Sequence, residues 1–122
     1  MRTLLTLLAC SILAACATTP PDPAVFDVAE RSIAAAEAAG ASELSPTELR
    51  FAQDSLESAR AAMAQNDYQD ALMRIDEAEI NATLAIEKSR ASRERRKVNE
   101  LQRSNELLRE QLIQSYGEEF VQ

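Results

Sequence analysis

Residues 45–85 read SPTELRFAQDSLESARAAMAQNDYQDALMRIDEAEINATLA, and two turn signals inside this stretch decide the fold. Ser45-Pro46-Thr47-Glu48 has the order of a helix start. Ser45 serves as N-cap, Pro46 takes the first helical position, where its missing N–H is no loss, and Glu48 closes a capping box. Leu49, Ala52, Leu56, Ala59 and Met63 then recur at spacings of 3, 4, 3 and 4, which is one face of a helix. Asn66-Asp67 breaks the pattern as a tight turn, with one of the two capping the next helix. Tyr68, Ala71, Ile75, Ala78, Ala82 and Ala85 resume the period. Two amphipathic helices joined by two residues make an αα-hairpin, and the alanines on their facing stripes let the backbones approach closely.

Outward from the hairpin, the same logic predicts one helix before it and a long continuation after it. Asp22 caps and Pro23 suits a first turn. Phe26, Ala29, Ile33 and Ala36 follow at 3, 4, 3 spacing, and Gly40 supplies the positive φ that ends the segment. On the other side no Pro or Gly occurs from Tyr68 until Gly117. A helix over 46–65 is about 30 Å long, whereas one over 68–115 is about 72 Å. The last helix therefore outruns its partners near Lys88. The expected fold class is all-α: a signal peptide, a short helix, then an αα-hairpin whose last helix is long and extends as a coiled-coil-like tail.

Two features of that tail carry chemistry. Lys88, Arg90, Arg93, Arg95, Arg96 and Lys97 form a basic cluster relieved only by Glu94. At helical spacing these side chains surround the axis as a collar rather than a face. A solvated stretch that keeps an exposed helix soluble explains them. Contact with phosphate-bearing head groups, anionic wall polymer, an acidic partner or the chain's own acidic region explains them too. Residues 22–87 hold 14 acids and 4 bases, net −10, against +2 for 88–122. Beyond the collar, Val98, Leu101, Asn105, Leu108 and Leu112 fall at 3, 4, 3, 4 spacing. With Val98 at heptad position a, Leu101 and Leu108 take d and Asn105 takes a, where a lone Asn specifies dimer register. The flanking Gln102, Ser104, Arg109 and Gln111 provide no opposite-charge pairs. Self-association, docking on another protein or on the chain's own bundle, and an exposed helix all fit this stripe. Leu107 and Ile113 lie off it and widen the apolar surface, which favours a partner.

The N-terminus addresses location. Arg2 precedes Leu4, Leu5, Leu7, Leu8, Ala9 and Ile12, a positive start and an apolar run too short to span a bilayer, which needs about 20 apolar residues. Leu13-Ala14-Ala15-Cys16 follows. This resembles the bacterial lipobox, which implies cleavage between Ala15 and Cys16. It also implies a diacylglycerol and an N-acyl chain carried covalently on Cys16. Cys10 would be discarded with the signal. Acyl burial contributes about 0.8 kcal/mol per CH₂, so two or more chains anchor stably. In Gram-negative lipoproteins of this type, Asp after the Cys signals inner-membrane retention. Ala17 stands there, and the resemblance therefore implies the outer membrane, with the folded part facing the periplasm. The Pro-rich stretch 17–23 is an extended tether that reaches about 22 Å.

Composition narrows the remaining function classes. The chain has 122 residues and a net charge of −7, and His is absent. After removal of 1–15, 107 residues remain with 12 bases and 20 acids, net −8. That balance opposes nucleic-acid binding, which depends on neutralising phosphates. The absence of His removes His-based metal sites and His-assisted nucleophiles. Only 25 of the 107 are Val, Ile, Leu, Met, Phe or Tyr, enough for a thin helical core but not for a pocket-sized interior. Asp76, Glu77 and Glu79, and Glu118 and Glu119, lack the loop spacing of a calcium site and read as solvated surface. No catalytic residue, metal, further cofactor or small-molecule substrate is expected.

Ala39-Gly40-Ala41, Leu44, Ser45-Pro46-Thr47-Glu48-Leu49, Ala52, Leu56, Ala59, Asp67-Tyr68-Gln69-Asp70-Ala71, Ala78, Ala82 and Ala85 together resemble a family of small bacterial lipoproteins, domain of unknown function 4398. The likeness runs over 24–92 and leaves the tail from Val98 uncovered. It implies an all-helical envelope protein and supplies no catalytic residues. The chain divides on this reading into signal peptide 1–15, lipidated Cys and tether 16–23, helical domain 24–92 and tail 93–122. The function expected is a structural or interaction role in the cell envelope, through a homo-oligomer or another envelope protein. The other reading starts from 66–72, which look like the inter-helix turn of a tetratricopeptide repeat. It makes the hairpin a binding module for a peptide or glycan. One such unit is too few to bury a repeat core, and Tyr68 is expected to anchor the core at the turn. Tethering to peptidoglycan, as in the trimeric coiled-coil lipoprotein of enteric bacteria, uses a C-terminal Lys; here the end is Phe120-Val121-Gln122.

Overall fold

The computed structural model describes residues 19–117. Ala15, Cys16, Glu118 and Glu119 lie outside the described residues. A 3-10 turn, Pro23–Val25, leads into α1 (Phe26–Ala38), α2 (Ala41–Leu44), α3 (Pro46–Ala64) and α4 (Tyr68–Tyr116). No strand occurs among the described residues. The all-α expectation holds, with a hairpin of α3 and α4, a first helix beside it and a last helix far longer than its partners.

The helix ends follow from named residues. Asp22 accepts the Ala24 N–H at 2.9 Å ahead of Pro23. Gly40, at φ 79°, closes α1 by donating its N–H to Glu37 O at 2.8 Å. It also starts α2, since its own carbonyl accepts the Leu44 N–H at 3.0 Å. This four-residue helix is absent from the sequence expectation. Its one turn fills the corner between α1 and α3, and Ala41 is fully buried there. At the hairpin, Asn66 takes φ 61°, a left-handed conformation Asn tolerates. Asn66 N–H bonds to Met63 O at 3.1 Å and Asp67 N–H to Ala62 O at 3.0 Å, the paired bonds of a Schellman ending. Asp67 then caps α4 by accepting the Asp70 N–H at 3.1 Å.

Antiparallel packing of α3 on α4 dominates the core, and α1 lies across both. Arg60 reaches Glu30 at 2.7 Å and Gln53 reaches Glu37 at 3.1 Å, so α1 runs antiparallel to α3 and parallel to α4. Pro23 therefore sits at the same end as the Asn66-Asp67 turn. The tail of α4 leaves from the opposite end. Among the described residues, the buried apolar side chains larger than alanine are Ile33, Leu49, Leu56 and Ile75. Small side chains place the helices toward the close end of the usual 8–10 Å separation, an estimate of about 8 Å.

Four side chains depart from expectation. Ala62 is buried and Met63 only half-buried, because the last turn of α3 tightens into the hairpin. Tyr68 is not a core anchor: it is half-buried, and its hydroxyl donates to Asn66 Oδ1 at 2.8 Å, which holds the ring across the turn. The Ser45 side chain makes no cap bond to the backbone. It donates instead to Glu48 Oε2 at 2.6 Å, so the pair is present but the capping box is not.

The core stripe of α4 extends past Ala85 to Ser89, which is fully buried with an unpartnered Oγ among the described residues. A buried hydroxyl without a partner costs about 1–3 kcal/mol. Ser89→Ala is therefore expected to raise the melting midpoint of the chain by several degrees in thermal circular dichroism. A lower midpoint would mean that the hydroxyl is satisfied in solution.

Candidate functional site

The candidate site is the part of α4 that the bundle does not cover. Burial along α4 ends with Ser89 and half-buried Ser92; every described residue from 93 on is exposed. Its root is the basic collar. Lys88 Nζ donates to Glu48 Oε1 on α3, and Arg96 Nη1 donates to Glu43 Oε1 on α2 at 3.0 Å. These two bases fasten the root of the tail to the end of the bundle. Arg90 pairs with Glu87 and Lys97 with Glu94, each at 2.9 Å and three residues apart on α4. Arg95 donates to Ser92 Oγ at 3.1 Å. Arg93 makes no ion pair among the described residues. The collar thus splits into two bases that bridge to neighbouring helices and four that stay on α4.

Glu48 is the electrostatic centre of this end. The Lys88 hydrogen bond first, then the Ser45 hydroxyl, stabilise its carboxylate and lower its pKa from 4.5 to about 2. That ionised carboxylate accepts a charge-assisted hydrogen bond, so the Ser45 hydroxyl donates to it rather than accepting a backbone N–H as a capping residue does. The Arg96–Glu43 pair is open to water on both sides, so salt screens it and it contributes less. Near the hairpin, Arg74 lies 3.0 Å from Glu77 and 3.3 Å from Asp70. The Glu77 hydrogen bond and then the Asp70 charge raise its pKa further.

Beyond the collar, Val98, Leu101, Asn105, Leu108 and Leu112 lie along one side of α4, all exposed. Leu101 is 64% exposed, whereas Leu56 in the core is 7% exposed. The helix continues through them to Tyr116, and every described residue of this stretch is exposed. At about 100° per residue, this seam is rotated by about 140° from the bundle-facing stripe of Ala71, Ile75, Ala78, Ala82, Ala85 and Ser89. It faces away from α1 and α3. The seam therefore does not dock on the chain's own bundle, an arrangement that its spacing alone permits. Leu107, off the seam, points to the bundle side and is exposed there as well.

Depressions along α4 are shallow, because each is walled by this helix or its cap alone. Arg96, Asn99, Glu100 and Arg103 line one, and Lys97, Glu100, Leu101 and Ser104 another. Among the described residues no group of three His, Cys, Asp or Glu side chains is placed to hold a metal ion. No described helix is long and apolar enough to cross a membrane. The roles of Glu43 and Glu48 as partners of the collar were not legible in their local sequence. A count of turns from the Asn66-Asp67 hairpin does place both opposite 88–96.

Glu48 ionises more readily in the folded chain than in the unfolded one. The stability it supplies is therefore fully present above the ordinary carboxylate pKa of 4.5 and is lost as the pH falls toward about 2. The gap in melting midpoint between wild type and Glu48→Gln is expected to be constant above about pH 6 and to shrink steadily below about pH 5. A gap that stays unchanged through that acid range would mean the Lys88 pair adds nothing to folding.

The family model described as a domain of unknown function (DUF4398) matches residues 24–101. The match runs past the 24–92 of the sequence resemblance, taking in the whole collar and the first seam residues, Val98 and Leu101. No curated protein and no solved structure matches the chain. With its helical bundle and the root of its tail inside the match, the chain belongs to the DUF4398 family.

Proposed function

We propose that this chain is a lipid-anchored protein of the bacterial outer membrane, facing the periplasm, with a non-catalytic structural and protein-docking role in the envelope. The observation that carries the reading is the exposed seam on the overhanging part of α4. A helix of this length has no packing reason to continue past the bundle with Leu101, Leu108 and Leu112 aligned on one side. An aligned apolar stripe with water on it is a surface that a partner covers.

The polarity of the fold supports the same reading. The chain enters the fold at Pro23, at the hairpin end, and the tail leaves from the other. With Cys16 acylated in the membrane, the bundle stands near the surface and α4 carries the seam away from it. The tether reaches about 22 Å. The seam starts about 45 Å along α4 from Tyr68, and the helix ends about 73 Å along. The protein is on this reading a spacer that holds a docking surface at a set distance from its anchor. The collar lies at the far end of the bundle, where Lys88 and Arg96 brace the tail. No metal or small-molecule cofactor takes part, only the acyl chains on Cys16.

Two measurements test this. Cys16→Ser is expected to abolish labelling of the chain by radioactive palmitate, and persistent labelling overturns the anchor. Photo-crosslinkers placed at 101 and at 108 in the full chain, in cells, are expected to capture protein, whereas one at Phe51 on the bundle surface captures several-fold less. In the isolated, dilute chain, Leu101→Ser with Leu108→Ser should leave the melting midpoint unchanged, since both side chains are exposed there. Absence of any crosslinked species from the seam overturns the docking role.

A further inference from the structure

We propose that the seam over 98–112 is covered by a second copy of this chain, parallel and in register. The inference rests on the reading of the seam as a docking surface, and it names the occupant.

Asn105 is the first reason. It sits at an a position in the middle of the seam, where any covering helix buries its amide. A buried amide without a partner is costly, and its carboxamide both donates and accepts. In a parallel, in-register pair, Asn105 meets Asn105 of the second copy and the two amides bond to each other. The antiparallel pairing that sets Leu101 against Leu112 sets Asn105 against Leu108 and leaves the amide unpaired. A wholly apolar groove on another protein leaves it unpaired too.

Charge is the second reason. Residues 22–87 carry a net −10, so two bundles repel each other face to face. Residues 98–116 carry three acids and two bases, net −1, and two copies can meet along them. Carried toward the bundle, the same heptad puts Glu94 and Glu87 at d. Like charges at facing d positions end the pairing at Val98.

The third reason is direction. The seam points about 140° away from the stripe that packs on the bundle, so the α4 of a second copy approaches the open side. About the two-fold axis of such a pair, both bundles lie outside. Chains anchored at one surface through 16–23 also send their tails the same way. Two and a half heptads form a weak pair in free solution, but confinement to one surface raises the effective concentration of copies.

Disulfide capture in membranes from cells making the full chain tests the proposal. Leu101→Cys is expected to give a disulfide-linked dimer on mild oxidation, several-fold more than Leu107→Cys on the other side of α4. The parent chain, whose Cys16 sulfur is acylated, gives none. In cells also making a tagged Leu112→Cys chain, the 101–101 dimer is expected to exceed the 101–112 dimer. Asn105→Leu should reduce that preference by removing the amide pair. A dominant 101–112 product overturns the parallel register. Absence of a 101–101 dimer, while photo-crosslinkers at 101 capture a different protein, overturns the second copy and leaves the docking role standing. Absence of both removes the docking role as well.

Discussion

Alanine-sized clearance between helices is the constraint from which the rest of the molecule follows. Ala52 and Ala59 on α3 and Ala78, Ala82 and Ala85 on α4 have no exposed surface. With such side chains the two backbones lie close enough for dispersion contacts to act over the length of the hairpin. Each alanine removes little apolar area from water, however, so the core gains stability by extent rather than by depth. Leu49, Leu56, Ile33 and Ile75 are the larger inserts in an otherwise thin seam of methyl groups. A core of this kind is thin, and the collar and the seam both lie on its outside.

The end of the bundle where the tail departs is finished by charge rather than by apolar packing. Glu43 on α2 and Glu48 at the start of α3 meet Arg96 and Lys88 of α4. The short α2 makes this arrangement, since it brings an acid to the level of Arg96, beyond the start of α3. Ser45 binds Glu48 from the other side, and that carboxylate holds a hydroxyl and an ammonium together. The acidic balance of the bundle and the basic balance of the collar therefore meet at one junction.

Most of the fold was legible in the sequence because its punctuation is strong. Asp22, Gly40 and Asn66-Asp67 act through their own backbone preferences, and each does locally what its residue type dictates. Tyr68 was misread because an aromatic beside a core stripe suggests burial, while its bond to Asn66 is a turn contact that periodicity does not report. The capping box failed because the Glu48 carboxylate is taken up by Lys88, forty positions away, and by the Ser45 hydroxyl, bonds that local sequence does not report. α2 was missed because four residues are too few to show a helical period. For the candidate site, the positions of the seam were legible but its outlook was not. That needed the phase between two stripes on one helix, and the phase acquires meaning only once the bundle-facing stripe is known.

The unbroken course of α4 has a mechanical consequence. From Tyr68 to Tyr116 it contains neither Gly nor Pro, so it has no built-in hinge. The segment beyond Arg96 is a cantilever about 30 Å long. A sideways load at its tip becomes a bending moment at its root, where the Glu43–Arg96 and Glu48–Lys88 bridges act as braces on two different helices. A pull along the axis is shared instead by the whole hairpin in shear, across many small contacts at once. The molecule therefore resists bending through the charged braces at its root and tension through the apolar packing of its hairpin.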